Sequence, residues 1–181
     1  MGRTVFIGDI HGCADELDEL LDRVAVTSDD RVVLVGDLVM RGPHPRRVLA
    51  LARQVGAVSV LGNHEWRLLQ WRRMKMGKRA VARMKAVHHR IVESKVIART
   101  AESFDETDWQ QIDAMPLHLH VEAHGVLVVH AGVVPGRALA DHKKRTLLYM
   151  RCLSDDGAPL DERNSGHLWG SRYTGPPHVV F

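Results

Sequence analysis

Aspartate, histidine and asparagine recur in this chain beside glycine, as Gly8-Asp9-Ile10-His11-Gly12, Gly36-Asp37, Gly62-Asn63-His64-Glu65 and His130-Ala131-Gly132. Each stretch supplies side chains that can hold a cation. A mixed oxygen and nitrogen set suits zinc, manganese, iron or cobalt better than calcium, which takes oxygen alone. Asp9 and His11 stand two residues apart, so on an extended exit they point to the same side. The set is large enough for two divalent metal ions. Asp9, His11 and Asp37 can hold the first, and Asp37, Asn63 and His130 the second, with Asp37 bridging. Two ions ~3.5–4 Å apart can activate a water and clamp phosphoryl oxygens in an in-line displacement. A lone Asp-x-His or Asn-His is ordinarily a turn; the joint pattern carries the reading.

The elements that must position these residues read as alternating strands and helices. Thr4–Gly8 is β-branched and aromatic and ends in glycine, which predicts a buried strand. Asp15–Val24 has leucines at 17, 20 and 21, an amphipathic helical spacing. Arg31–Val35 predicts a second strand, Pro45–Val55 a second helix entered through proline, and Ala57–Leu61 a third strand. This alternation implies a parallel sheet with helices on its faces. Ligands of such a sheet bind beyond the carboxyl ends of the strands, where the four motifs fall. Residues 65–114 read as a helical insert with a break near Gly77, and Leu117–Val121 and Val126–Val129 as a hairpin. Lys143–Leu153 predicts a further helix, Asp155–Ser165 a loop, and His178–Phe181 a strand.

The stretches GDIHG (8–12), GDLVMRGP (36–43), GNHE (62–65) and VVHAG (128–132) resemble, in order and spacing, the motifs of the phosphoprotein-phosphatase branch of calcineurin-like metallophosphoesterases. The resemblance covers nearly the whole chain. It implies an α/β fold, a four-layer β-sandwich flanked by helices, within a single domain over 1–181. It supports the five ligands above and implies that His64 protonates the leaving group and that Arg41 binds the substrate phosphate. An imidazole is a suitable general acid near neutral pH, and a guanidinium grips phosphate with paired hydrogen bonds. Arg172, in Trp169-Gly170-Ser171-Arg172-Tyr173, resembles a second phosphate-binding arginine; a structural loop explains it about as well.

Two departures shape the expectation. Position 40 is Met, where protein-phosphatase members carry an aspartate that orients the catalytic histidine. That feature, with GDIHGC, is most similar to the symmetrical diadenosine-tetraphosphate hydrolases and ApaH-like phosphatases. The expected reaction is therefore cleavage of phosphoanhydrides in dinucleoside polyphosphates or polyphosphate. A phosphoserine/phosphothreonine protein phosphatase is the alternative, and an inactive remnant binding nucleic acid is another. Second, the family's late Gly-His ligand follows a strand like Val179-Val180-Phe181, where this chain stops. Truncation at the C-terminus is one expectation on that ground; the alternative is that water, or less readily His178 one strand away, fills the gap, and the second ion is expected to bind more weakly.

Composition agrees with an enzyme of small anionic substrates. Hydrophobic content of 45% and charged content of 26% exclude a largely disordered chain. No apolar run approaches the ~18 residues of a membrane span. The chain runs directly into its first strand, so no signal peptide is expected, and two cysteines are too few for a disulfide framework. A cytoplasmic protein is the expectation. Between Arg67 and Arg99 eleven Lys or Arg face one acid, Glu93, which favours phosphates and leaves nucleic acid as a less favoured partner. Cys13 reads as a small buried residue. His88-His89 and His118-x-His120 have ligand-like spacing but lack nearby acids. Trp66 and Trp71 suit base stacking or a buried helix face equally, and Glu65 is placed to orient the Asn63-His64 turn. Nothing here fixes an oligomeric state.

Overall fold

The computed structural model describes residues 2–76, 94–162 and 165–181. The middle of the expected helical insert, with Met84, Val87, His88, His89, Ile91 and Val92, lies outside them. β1 (Thr4–Ile7), β2 (Arg31–Leu34) and β3 (Val58–Ser59) form a parallel sheet in that order, with Thr4 opposite Arg31 and Val33 opposite Val58. α1 (Ala14–Val24) and α2 (Pro45–Gln54) connect its strands. α3 (Asn63–Met76), α4 (Lys95–Ser103) and α5 (Glu106–Asp113) follow. β4 (His118–Val121) and β5 (Val126–Val129) form an antiparallel hairpin around a 3-10 turn that Gly125 closes at φ 59°. Next come α6 (Lys144–Tyr149), a small antiparallel sheet of β6 (Cys152–Leu153), β7 (Pro159–Leu160) and β8 (His167–Leu168), and α7 (Trp169–Arg172). β9 (His178–Val180) then returns to pair parallel with β5.

Strand alternation explains the layers. Val32 and Leu34 turn one way, into a cluster with Leu17, Leu21, Val48 and Leu68 from the helices. Val33 and Val35 turn the other way and meet Val60, Val121 and Val128. The two larger sheets therefore pack face to face through valines. On the far side of the second sheet, Leu127 and Val129 pack against Leu147, Met150, Leu153 and Trp169. The result is helices, sheet, sheet, then α6 and α7 with the small sheet, which is the expected four-layer sandwich.

Three spans differ from expectation, one of them the expected loop Asp155–Ser165, in which Pro159 and Leu160 pair with β6. Of the expected strand Ala57–Leu61, Val58 and Ser59 lie in register with β2 and Val60 N–H still donates to Leu34 O at 3.1 Å; Leu61 N–H instead donates to Pro116 O at 2.7 Å. The helix expected over Lys143–Leu153 ends at Tyr149, because Met150 is extended (ψ 134°) and carries Cys152 and Leu153 into sheet pairing. Among the described residues no helix is long and apolar enough to cross a membrane.

β2 carries the turn that holds Asp37, so its burial bears on the site. Leu34 is buried against the helical layer. Leu34→Ala should cost about 2–5 kcal/mol through lost transfer energy and a residual cavity. Urea unfolding checks this, with a lower midpoint at an unchanged slope as the expected outcome.

Candidate metal centre

Four turns meet beyond the strand ends. Asp9 and His11 come from the turn after β1 and Asp37 from the turn after β2. Asn63 and His64 open α3, and His130 follows β5 in the second sheet. Non-glycine residues in the left-handed region gather here: His11 (φ 53°), Asp37 (52°), Met40 (72°) and Arg41 (69°). Such conformations cost energy and persist where surrounding contacts impose them, often at functional sites.

Glu65 imposes much of this one. Its carboxylate is fully buried and accepts the amide N–H of Asp37 at 2.9 Å, Val39 at 3.1 Å and Gly62 at 3.0 Å. The turn after β2 is thereby tied to the start of α3. Asp37 Oδ1 then accepts the His64 amide at 2.9 Å, closing the tie from the other side. The close approach requires glycine at 62, where a Cβ would stand 2.2 Å from Asp37 N and 2.3 Å from Asp37 Oδ1. Burial and the Asp37 carboxylate push Glu65 up to about 7, while its amide donors pull it back.

Around Asp37 the ring nitrogens converge. His130 Nε2 lies 3.4 Å from Asp37 Oδ1, His64 Nε2 3.8 Å and His11 Nε2 3.9 Å from Asp37 Oδ2, and His11 Nε2 3.5 Å from Asp9 Oδ2. Asn63 Nδ2 lies 3.1 Å from His130 Nε2. His130 Nδ1 donates to Val35 O at 2.9 Å, which fixes the tautomer and turns Nε2 toward the carboxylates. Two donors each ~2.1 Å from one ion stand ~3.0–3.5 Å apart, so these gaps are close to ligand–ligand spacings. His11, Asp37 and His64 form one cluster with mutually close donor atoms; Asp9, Asp37 and His130 form another. Asp37, only 3% exposed, belongs to both. The buried Nδ1 atoms of His11 and His64 have no hydrogen-bond partner among the described residues. The donor set therefore fits divalent cations.

Burial lowers His64 to about 4, opposed by Asp37 and reinforced by Arg41, His11 and Arg67. An imidazole held this way is neutral at pH 7. It can ligate a cation, or act as a general acid once negative charge arrives beside it.

Residues 2–176 match the calcineurin-like phosphoesterase family. The chain belongs to that family. The symmetrical bis(5'-nucleosyl)-tetraphosphatase of Pasteurella multocida strain Pm70 is 35% identical over 148 residues, 78% of this chain and 48% of its own length. The enzyme of the same name from Proteus mirabilis strain HI4320 is 31% identical, over 98% of this chain and 63% of its own. This chain therefore spans about half to two-thirds of these relatives' length. A crystal structure assigned as a diadenosine tetraphosphatase superposes with a TM-score of 0.81 at 31% identity, covering 98% of this chain and 73% of that one.

The remaining expected residues fall as follows. Arg41 is exposed at the lip of the centre, in a turn whose Gly42 N–H donates to His11 O at 2.6 Å. Met40 is buried in the helical core. Arg172 is exposed at the end of α7, and among the described residues it forms no ion pair with a site residue. Its helix is anchored nearby, because Trp169 Nε1 donates to Ala131 O at 3.0 Å. His118 and His120 stand edge to face on β4, and Cys13 and Cys152 are free thiols. Arg67, whose charge reaches His64, escaped sequence reasoning. The signal was its place three residues after His64 on a helix.

Glu65→Gln keeps the shape but turns one acceptor into an amide donor facing backbone N–H groups. The unsatisfied donor should cost about 1–3 kcal/mol. We expect a lower melting temperature together with weaker Mn²⁺ binding, since Asp37 loses its anchor. Calorimetric melting and metal titration of the variant check both.

Proposed function

We propose that this chain is a two-metal phosphohydrolase that cleaves phosphoanhydrides of dinucleoside polyphosphates or polyphosphate. The observation that carries the reading is Asp37, shared between two donor clusters at the strand ends of a phosphoesterase sandwich. The relatives named as symmetrical bis(5'-nucleosyl)-tetraphosphatases support the substrate class.

Asp9, His11, Asp37, Asn63 and His130 would hold the ions, and His64 stands beside His11 and Asp37 without being one of the five. When bound, a pair of Mn²⁺, Co²⁺, Fe or Zn²⁺ ions supplies Lewis acidity toward phosphoryl oxygens and a hydroxide-like nucleophile near neutral pH. The protein's own groups do the rest. Arg41 grips the phosphate at the lip, and Arg172 adds a second guanidinium from α7. His64, whose backbone N–H donates a hydrogen bond to Asp37 Oδ1, hands a proton to the departing oxygen. Met40 offers no carboxylate to His64, and His64 Nδ1 has no acceptor among the described residues. That arrangement favours anhydrides, whose phosphate leaving groups need little protonation, over phosphoserine and phosphothreonine, whose alkoxides need more. The substrate is a small anion; nucleic acid is less favoured. With free thiols the protein suits a reducing cytoplasm.

Diadenosine tetraphosphate incubated with the protein and Mn²⁺, its products resolved by ion exchange, provides the test. ADP as sole product, absent with Asp37→Asn, is the expected outcome. Turnover that survives Asp37→Asn would contradict the assignment.

A further inference from the structure

A second group of cations stands beside the metal centre. Trp66 and Arg67 follow His64 on α3, while Lys144, Arg145 and Tyr149 lie on α6. Residues three and four apart share a helix face, so Arg67 is on the side of α3 that carries His64 and Asn63. The Arg67 guanidinium carbon is 5.9 Å from the centre of the Tyr149 ring. Lys144 Nζ is 4.0 Å from the centre of the Trp66 ring. Both rings are half-buried and packed on the main core, so they fix where the two cations stand.

Pairing separates these cations from Arg145 and Arg72, though not from Arg73, which also lies over the Trp66 ring at 5.4 Å. Arg145 is engaged with Asp161 and Arg72 with Glu106 and Asp113. Among the described residues, Arg67 and Lys144 have no carboxylate within ion-pair distance. A cation held against a ring face keeps its N–H donors for an outside anion, and charge-assisted bonds to phosphate are strong.

We propose that Arg67 and Lys144 form a distal-phosphate subsite, which receives the phosphates beyond the one under attack and selects phosphate chains over a lone phosphate. The inference deepens the phosphohydrolase reading and rests on it for the position of the attacked phosphate. It concerns binding, so it can be tested without turnover.

Isothermal titration of the full chain in metal-free buffer, with inorganic tripolyphosphate and with orthophosphate, provides that test. Wild-type protein should bind tripolyphosphate more tightly. Arg67→Ala and Lys144→Gln should each cut that preference about tenfold. Arg23→Gln, which removes a charge paired with Glu19 on α1, should leave the preference in place. Thermal melting of each variant separates lost binding from lost folding. No preference in the wild type, or a preference that survives in both folded variants, overturns the subsite. Tripolyphosphate preference without hydrolysis of any phosphoanhydride supports the subsite and counts against the enzymatic reading; hydrolysis without the preference does the reverse.

Discussion

The carboxylate of Glu65 is fully buried and takes three backbone N–H groups, from Asp37, Val39 and Gly62, and the candidate metal centre depends on that tie. Burying a carboxylate without partners is costly, and amide donors offset the loss of water. Here the donors come from two separate strand exits, so satisfying the carboxylate also sets the distance between them. Asp37 is left in a left-handed conformation with its side chain turned toward three imidazoles. Gly62 is the counterpart of this constraint, because any side chain there would occupy the space of Asp37.

The second sheet contributes one of the proposed ligands, His130, and its position follows from how the sheets meet. Val33 and Val35 pack on Val121 and Val128 across the sandwich. That packing brings the exit of β5 against the exit of β2, where His130 Nδ1 reaches Val35 O. The hydrogen bond crosses between sheets and aims the other ring nitrogen at Asp37. A shift of one sheet against the other would therefore disturb both the valine layer and the approach of His130 to Asp37.

Much of this was legible in the sequence. Glycine after a β-branched run marks a strand exit, so Asp9, His11, Asp37 and His130 could be placed at strand ends from pattern alone. The strand–helix alternation of the first third and the hairpin after Pro116 were readable for the same reason: each has a strong local period. The helix over Lys143–Leu153 was not, because apolar residues at helical spacing do not reveal that Met150 turns extended to pair Cys152 in a sheet. Two-residue strands such as β7 and β8 carry no period at all. The roles of Glu65 and Arg67 depend on which backbone amides and rings lie opposite them in space. Sequence showed Glu65 near the turn, but not that its carboxylate holds three amides.

Bridging by Asp37 is the central claim, and electron paramagnetic resonance of the Mn²⁺-loaded protein tests it most directly. The account predicts that raising the Mn²⁺ concentration fills a second place and produces the spectrum of a spin-coupled pair, as expected for ions ~3.5–4 Å apart. A spectrum that stays that of isolated Mn²⁺, with one ion per chain at saturation or two that do not interact, would contradict it.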